Sequence, residues 1–261
     1  MDVLFGLHPV EEALRAGSRR IDRIAIAREA RRDARLNAVL ELARSRGVRI
    51  TTEPREQIAK LAREERHQDV LAVLEARRLL ALEDLLQPKA EGWKFLLALD
   101  GVEDPHNYGA LLRSADGAGV DGVVVPERRA APLTGTAAKA SAGASEHVRV
   151  AQVVNMTRAL EQMKKAGVWV VGLDERGSAD YTEFDFRQNV CLVMGREGAG
   201  LHDLVKKSCD HLLRIPMAGS VSSLNVSVAG AVVMYEAMRQ RRSPQAPAAA
   251  RPGKPRKGLG S

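Results

Sequence analysis

Residues 190–201 have the sequence Val-Cys-Leu-Val-Met-Gly-Arg-Glu-Gly-Ala-Gly-Leu, an apolar run followed by a polar loop that contains three glycines. A short apolar run of this kind is consistent with a strand that is buried on both faces of a sheet. In enzymes built on parallel sheets, sites lie where the strands end, because the loops of neighbouring strands meet there. The stretch therefore predicts a buried strand over Val190–Met194 that leads into a binding loop.

The residues on either side of this stretch repeat the order of strand and helix. Further apolar strands are predicted at Phe95–Leu99, Val123–Val125, Val168–Gly172 and Leu212–Ile215. Helices are predicted near residues 107–118, 134–144, 155–166, 200–207 and 225–241. Short apolar strands that alternate with helices predict an α/β fold, with a mostly parallel sheet covered by helices on both faces.

The first 75 or so residues predict a separate, smaller α/β unit. Its helices are predicted near residues 8–14, 35–46 and 54–61, and its strands near residues 21–26, 48–50 and 70–74. Gly17 and Gly47 follow the first two helices, as is typical of glycines that end helices. Residues 76–93 carry charge, Pro88 and Gly92 without a clean period, which predicts a linker with a single turn of helix.

The net charge of +7 and a pI of about 9.7 favour an anionic partner such as RNA. Aromatic residues make up only 3% of the chain, so phosphate contacts and RNA shape should matter more than base stacking. Residues 243–261 place Arg251, Lys254, Arg256 and Lys257 in a segment rich in Pro, Ala and Gly. This segment is predicted to be a disordered basic tail, either simply solvated or a loose electrostatic arm for RNA.

Several other kinds of site are disfavoured. Cys191 and Cys209 form no CxxC pair, so neither a disulfide framework nor a zinc site is expected, and a reducing cytoplasm is the predicted compartment. The histidines lack metal-ligand spacing, and no apolar run approaches the ~20 residues that cross a bilayer. Gly117–Gly122 match the dinucleotide pattern GxGxxG, but a helix is predicted before them and a strand after them, which reverses the required order. We interpret these glycines as a helix end and a tight turn.

Three polar segments that contain glycine each adjoin a predicted strand: residues 99–115, 192–201 and 215–229. Each segment has an ordinary explanation when it is taken alone. Asn107 could cap a helix and Arg113 could be a surface cation. Ser222 or Ser223 could cap the last helix, with Asn225 merely in its first turn.

Together, the three segments resemble the signature motifs of the SpoU family of RNA 2′-O-methyltransferases. The patterns NxGAxxR, MGxEGxGL and IPMxGxxxSLNVSxA begin at Asn107, Met194 and Ile215, in the family's order. Residues 5–14 also resemble the opening of the bacterial members that methylate a guanosine in 23S rRNA. One departure is His67-Gln68-Asp69, where those enzymes usually have glycine in the third position.

The resemblance implies a fold and a domain order. A ribosomal-protein-L30e-like α/β domain over residues 1–75 would bind the RNA substrate, and residues 76–93 would link it to a catalytic domain over residues 94–242. The catalytic sheet would carry the C-terminal trefoil knot of the SPOUT fold, in which S-adenosylmethionine is held. The resemblance also implies a homodimer whose interface lies beside the active site, with no metal and no membrane partner.

The resemblance places the cofactor at the second and third motifs. It implies contacts at Gly195, Ile215 and Leu224, largely through backbone groups. Gly198 and Gly200 suit such a loop, because glycine lets a ligand approach the main chain closely.

The resemblance also implies catalytic residues. Arg113 is placed at the ribose and a neighbouring phosphate, and by analogy it has been assigned as the base. A guanidinium with a pKa above ~12 is a poor base, so we expect it to clamp phosphate and stabilise the developing alkoxide while the proton leaves to water or phosphate. Asn107, Glu197, Ser223 and Asn225 match the family's other site residues and are expected to position the ribose.

The expected substrate is a guanosine of 23S rRNA, in the peptidyl-transferase-centre loop, modified during ribosome biogenesis. The N-terminal domain favours rRNA, because the tRNA enzymes of this family generally lack such a module. A tRNA guanosine, or a ribosomal adenosine methylated by a resistance enzyme, is the alternative substrate. A non-catalytic RNA-binding or ribosome-assembly protein is the alternative from another class, and the intact motifs disfavour it.

Overall fold

A computed structural model of the chain describes residues 1–128, 130–131 and 135–242. Within these residues two sheets form, one of four strands and one of seven, and helices pack on both. The predicted basic tail over residues 243–261 lies outside the described residues, as does residue 134, the first residue of a predicted helix. None of the described helices is long and apolar enough to cross a membrane.

The smaller sheet is built from the first 74 residues. Its elements are β1 (Asp2–Phe5), α1 (Leu7–Ala16), β2 (Ile21–Ala27), α2 (Ala34–Ser45), β3 (Arg49–Glu53), α3 (Arg55–Ala62) and β4 (Val70–Leu74). The strand order is β1-β4-β2-β3, in which β2 and β3 are parallel and β4 is antiparallel to both of its neighbours. The helices and strands predicted here are confirmed to within a few residues, and β1 is an additional strand that the sequence pattern missed.

The apolar stripe of α2 explains why this helix packs where it does. Leu36, Val39, Leu40 and Ala43 recur at helical spacing, and all four are buried in the core of the smaller sheet. Asp33 begins the helix, since its Oδ1 accepts a hydrogen bond of 2.8 Å from the backbone N–H of Leu36.

The larger sheet contains the remaining strands. Its elements are α4 (Leu82–Leu86), β5 (Phe95–Leu99), α5 (Pro105–Gly117), β6 (Gly122–Pro126), α6 (Gly135–Ala140), a 3₁₀-helix (Ala144–Glu146), β7 (Val150–Val153), α7 (Met156–Lys165), β8 (Trp169–Leu173), β9 (Ala179–Asp180), β10 (Val190–Met194), α8 (Asp203–Ser208), β11 (His211–Arg214) and α9 (Val226–Arg242). The order is β7-β6-β5-β10-β8-β11-β9, and each of these pairs is parallel. The prediction of a mostly parallel sheet is confirmed, with β7 and β9 as two further strands that were not predicted.

Strand β10 is buried on both faces, as its uninterrupted apolar sequence predicts. Leu192 and Met194 pack into a core that includes residues of α5 and α9, whereas Cys191 and Val193 pack into a second core with α7 and α8. Helices therefore cover both faces of the sheet. Burial raises the pKa of the Cys191 thiol well above its usual range, so this side chain acts as an apolar core residue.

The GxGxxG pattern is confirmed as a helix end and a turn. Helix α5 ends at Gly117, Gly119 has a φ of +72°, and β6 begins at Gly122. The segment at 76–93 contains one short helix, α4, whose Leu82 and Leu85 are buried in the second core of the larger sheet.

The end of α9 is fixed to the larger sheet by one arginine. Arg241 donates hydrogen bonds to the carbonyl oxygens of Phe186 at 2.9 Å and Gln188 at 2.8 Å. It donates further bonds to the carbonyls of Trp93 and Lys94, at 3.1 and 3.2 Å. Burial lowers the pKa of Arg241 to about 10, so the side chain remains charged at neutral pH.

We expect Arg241→Ala to lower the free energy of unfolding by about 2–4 kcal/mol, because carbonyl groups from two segments lose a charged donor. Urea unfolding followed by circular dichroism measures the change. The control is Arg242→Ala, which removes the exposed neighbouring cation and should change stability by about 0.5 kcal/mol or less. Equal stability of the two variants would refute the anchoring role.

Candidate active site

The three polar segments singled out in the sequence meet at the carboxyl edge of the larger sheet. One follows β5, one follows β10 and one follows β11, and these strands lie within the continuous order β5-β10-β8-β11. Because all four strands are parallel, their carboxyl ends point the same way and the loops that follow them converge.

Side chains from the three segments form one hydrogen-bond network. The Asn107 amide donates to Glu197 Oε2 at 2.8 Å, and the Asn225 amide donates to Glu197 Oε1 at 2.9 Å. Asn225 Nδ2 also lies 2.9 Å from Asn107 Oδ1. The network forms within one chain, as the expectation of a shared pocket requires.

Helix starts hold both asparagines in place. Asp104 begins α5, since its carboxylate accepts from the backbone N–H groups of His106 and Asn107. The helix cap is therefore Asp104 and not Asn107, which the sequence had suggested. An aspartate directly before a proline is typical of a helix start, so Asp104 could have been predicted. Asn225 Oδ1 accepts from the backbone N–H of Ser227 at 2.9 Å and so begins α9. Asn225 therefore has the capping position that was considered for Ser222 or Ser223.

A cavity of 320 Å³ opens beside this network. It is lined by residues of β8, β10, the two following loops and the start of α9: Leu173, Asp174, Glu175, Met194, Gly195, Arg196, Glu197, Gly198, Ala199, Gly200, Ile215, Met217, Ser222, Ser223, Leu224, Val226 and Ala229. All the residues expected to contact a cofactor are in this lining, together with Glu197 and Ser223. Asn107 and Asn225 are joined to it through Glu197.

The glycine loop folds back on itself, and Gly195 must be glycine for it to do so. Backbone hydrogen bonds of 3.0 Å join Arg196 and Gly200 in both directions. A Cβ at Gly195 would lie 2.2 Å from the Gly200 carbonyl carbon and 2.4 Å from the Leu201 nitrogen. Both atoms belong to the backbone, so the clash could not be relieved by moving a side chain.

Two carboxylates in the lining were missed by the sequence interpretation. Asp174 and Glu175 directly follow β8, so the rule that sites lie at strand ends would have found them. Asp174 is half-buried and forms a 2.7 Å ion pair with Lys206. Although burial opposes the shift, the hydrogen bond and charge of Lys206 hold the pKa of Asp174 below its ordinary value. The cavity therefore has an acidic side.

A second missed pair fixes the far end of the glycine loop. Asp100 is buried directly after β5, and its Oδ2 accepts a 2.9 Å hydrogen bond from the backbone N–H of His202. The same oxygen lies 2.9 Å from His202 Nδ1. His202 comes just before α8, so this pair joins the end of β5 to the end of the loop.

Arg113 does not line the cavity. It lies on α5, six residues after Asn107, which turns it roughly 120° around the helix from that residue. Its side chain is exposed and makes no ion pair or hydrogen bond with the described residues. Within one chain, the guanidinium is therefore free to receive an anion from solvent. No group of three or more potential metal ligands occurs in the part of the chain that the structure describes.

Sequence comparison places these loops in a known family. The model of the SpoU rRNA methylase family matches residues 94–235, which contain all three loops and the cavity. The chain belongs to the SpoU rRNA methylase family. A second model, described as RNA 2′-O ribose methyltransferase substrate binding, matches residues 3–80. The family resemblance read from the three motifs is thereby confirmed.

Named relatives and solved structures of the SpoU family resemble the chain over most of its length. A Burkholderia protein named 23S rRNA (guanosine-2′-O-)-methyltransferase RlmB is 45% identical over 242 residues, which are 92% of this chain and 97% of the relative. The AdoMet-bound rRNA methyltransferase of Sinorhizobium meliloti superposes with a TM-score of 0.76 at 28% identity, over 93% of this chain and 88% of that one. The SpoU methyltransferase AviRb of Streptomyces viridochromogenes gives a TM-score of 0.76 at 26% identity, over 92% and 89% of the two chains.

We expect Gly195→Ala to open the loop of this SpoU-family site, because the new Cβ meets backbone atoms on Gly200 and Leu201. The variant should lose about 1–3 kcal/mol of stability, and amide exchange should speed up at residues 195–201. The matched control is Gly219→Ala, where a Cβ meets nothing within 4 Å. Unchanged amide protection in Gly195→Ala would contradict the close approach.

Proposed function

We propose that the chain transfers a methyl group from S-adenosylmethionine to the ribose 2′-oxygen of a guanosine in 23S rRNA, in the peptidyl-transferase-centre loop. The observation that carries the proposal is the Asn107–Glu197–Asn225 network, which lies beside a cavity lined by the glycine loop in a chain of the SpoU family. The name of the Burkholderia relative, which matches over both sheets, supports 23S rRNA and guanosine. Such a substrate would place the protein in the cytoplasm, in ribosome biogenesis.

The volume and the lining of the cavity support S-adenosylmethionine as its ligand. A volume of 320 Å³ lies in the range of small-molecule sites. Leu173, Ile215 and Leu224 offer apolar walls for an adenine ring, and Glu175 and Glu197 offer carboxylates to a molecule with positive sulfonium and ammonium groups. The bare backbone at Gly195 allows a ligand to approach the main chain. Gly198 and Gly200 would serve the same purpose in the same loop.

The chemistry requires alignment more than activation. S-adenosylmethionine supplies a methyl group on a positively charged sulfur, and the transfer leaves a neutral thioether. The chain must hold the ribose 2′-oxygen in line with that methyl group and exclude competing water. Asn107, Glu197 and Asn225 are placed to do this, because their network fixes the loops that surround the cavity. Ser223, exposed in the cavity lining, is placed to bond the substrate.

Arg113 has the charge and freedom to hold the RNA. Its unpaired guanidinium can bond a phosphate next to the target ribose in bidentate fashion and stabilise negative charge on the 2′-oxygen. The hydroxyl proton leaves to water or to that phosphate. Because Arg113 lies outside the cavity lining, the RNA would have to pass over α5 to reach the methyl donor.

The smaller sheet would bind the RNA, and the larger sheet would carry out the methyl transfer. Residues 1–75 would bind RNA, which agrees with the substrate-binding description of the model that matches residues 3–80. Residues 94–242 would carry out the transfer, with residues 76–93 between them and the basic tail at 243–261 as an additional arm for RNA.

A trefoil knot in the larger sheet is part of the proposal. Strand β10 pairs between β5 and β8, although both of those strands come earlier in the chain. Strand β11 then pairs with β8 on the side away from β10. The last two loops meet at the cavity after this crossing. A chain that threads in this way would close tightly around its ligand.

A homodimer is also proposed, with its interface beside the cavity. Apolar side chains remain exposed on the last loop and on α9, among them Val221 at 69%, Val228 at 49% and Tyr235 at 46%. Tyr235 lies over Gly117 at the end of α5, the helix that carries Arg113. A second copy that covers this surface would bury the apolar groups and bring its own α5 close to the site.

Incubation of the protein with unmodified 23S rRNA and labelled S-adenosylmethionine, followed by mapping of the labelled nucleotide, tests the activity directly. We expect a single 2′-O-methylguanosine in 23S rRNA. Label in tRNA, or on an adenosine, would replace the proposed substrate by one of the alternatives. Binding of rRNA without any transfer would instead indicate a non-catalytic RNA-binding protein.

We expect Arg113→Ala to fold normally and bind S-adenosylmethionine normally, but to lower kcat by about 10²–10³-fold through loss of the charge that faces the developing alkoxide. Single-turnover methylation and calorimetric binding of the cofactor measure the two effects separately. Arg158→Ala, which removes an exposed cation on α7, is the matched control. A methylation rate in Arg113→Ala equal to that of the control would remove Arg113 from the mechanism.

A further inference from the structure

The smaller sheet is docked by its edge strand. Strand β1 lies at one end of its sheet, and α6 packs against it. At the end of β1, Phe5 packs on Gly135, where a Cβ would lie only 2.5 Å from the ring. At its beginning, Asp2 pairs with Arg19, which pairs with Glu146. Phe5 and Leu4 are thus buried, while Asp2 and Val3 at the beginning of the strand stay partly exposed.

A buried ionic cluster fixes this orientation. The Glu146 side chain is 1% exposed and receives Arg19 at 2.8 Å and Arg77 at 2.6 Å. Arg19 is itself 9% exposed and pairs with Asp2 at 2.6 Å. Removing one partner of a buried ion pair leaves an unpaired charge at a cost of several kcal/mol, so the two sheets do not separate easily.

The path of α6 shows which end of the smaller sheet lies near the active site. Ala131, just before α6, donates to the carbonyl of Val102 at 2.9 Å, and Val102 follows β5 at the carboxyl edge of the larger sheet. From there the chain passes through α6 and the 3₁₀-helix to β7, which starts at the opposite edge. Gly135, at the start of α6, lies against Phe5 and Val3, whereas Asp2 is joined through Arg19 to Glu146 farther along this path. The end of β1 therefore lies nearer to the carboxyl edge of the larger sheet than its beginning does.

The loop that follows β2, at the same end of the smaller sheet as Phe5, is rich in unpaired arginines. Strand β2 is parallel to β3 and ends beside Asp69, next to Phe5 and Gly6, so the loop from Arg28 to Arg35 leaves at the same edge as β1. Arg28, Arg31 and Arg32 are exposed, and their guanidinium groups make no ion pair or hydrogen bond with any described residue. Arg35 contacts the ring of His8. We name Arg28, Arg31, Arg32, Arg35 and His8 the basic edge.

The acids of the same loop, Glu29 and Asp33, form no ion pair with the arginines of the basic edge. Glu29 accepts from the backbone N–H of Arg55 at 3.3 Å, and Asp33 accepts from the backbone N–H of Leu36. Both carboxylates are therefore directed to the backbone. Three exposed guanidinium groups without an ion-pair partner, within five residues, form a positively charged surface that suits a chain of phosphates.

We propose that the basic edge binds the phosphate backbone of the RNA substrate, at a fixed distance from the methyl-transfer site. The inference rests on the proposed function, and it adds the surface by which the smaller sheet holds the RNA. The dock on α6 holds the basic edge on the side of the smaller sheet that is nearer to the cavity. Arginine and the scarcity of aromatic side chains predict contacts to phosphate rather than stacked bases.

The opposite edge of the same sheet supplies a matched control. Arg20, Arg44 and Arg49 are also exposed, and their guanidinium groups make no ion pair or hydrogen bond among the described residues. They lie at the beginning of β2, the end of α2 and the beginning of β3. This is the edge of the smaller sheet opposite to the basic edge, because β2 and β3 are parallel. Substituting these three arginines removes the same charge as substituting Arg28, Arg31 and Arg32, so only the position of the lost charges differs.

The test compares two triple variants of the full chain, R28Q/R31Q/R32Q and R20Q/R44Q/R49Q. Fluorescence anisotropy with a labelled 23S rRNA fragment measures Kd as a function of salt. We expect the basic-edge variant to bind roughly 10- to 100-fold more weakly, with the slope of log K against log salt reduced by roughly 2–3. The control variant should remain within about threefold of the wild type, since its charges lie away from the RNA path. Thermal unfolding and S-adenosylmethionine binding confirm that both variants are folded.

Equal losses in the two variants, or a larger loss in the control, would overturn the proposal, because charge alone and not position would then govern binding. A basic-edge variant that binds as the wild type does would overturn it as well. The proposed function fails separately: wild-type protein that binds the RNA through the basic edge but transfers no methyl group would refute the activity and leave the surface in place.

Discussion

The carboxylate of Glu197 is the interaction on which the site depends, because it joins three loops that are far apart in sequence. Its two oxygens accept from Asn107 and Asn225, which are separated by 118 residues and lie at the starts of different helices. These amides reach one carboxylate only because β5, β10 and β11 end at the same edge of the sheet. Parallel pairing on both sides of β10 imposes that condition. The burial of one apolar strand thus sets the geometry of a polar network that is open to solvent.

The interior of the fold could be predicted from sequence more closely than its margins. The strand at Val190–Met194 was predicted to the residue, because an apolar run bounded by polar residues leaves little choice of register. The three strands that were missed, β1, β7 and β9, all lie at the ends of their sheets. Edge strands are short and partly exposed, so they lack the continuous apolar signal of central strands.

The convergence of the three motifs could also be predicted, since it follows from where parallel strands end. The contacts that refine the site could not. Asp100 and His202 are 102 residues apart, and Arg19 and Glu146 are 127 residues apart, so no local pattern relates either pair. The six-residue spacing within a predicted helix already sets the rotation of Arg113 from Asn107, but no sequence pattern shows which face of α5 is turned toward the cavity.

The contacts of Arg241 also order the events of synthesis. The smaller sheet is complete once Leu74 has been made, so this unit can fold while the ribosome is still translating the rest of the chain. The larger sheet has no such opportunity. The carbonyl groups of Trp93, Lys94, Phe186 and Gln188 accept hydrogen bonds from Arg241, which is one residue from the end of α9. These bonds can form only after Arg241 has been synthesised. A messenger truncated shortly before codon 241 would therefore yield a polypeptide with a finished smaller sheet and an unfinished larger one.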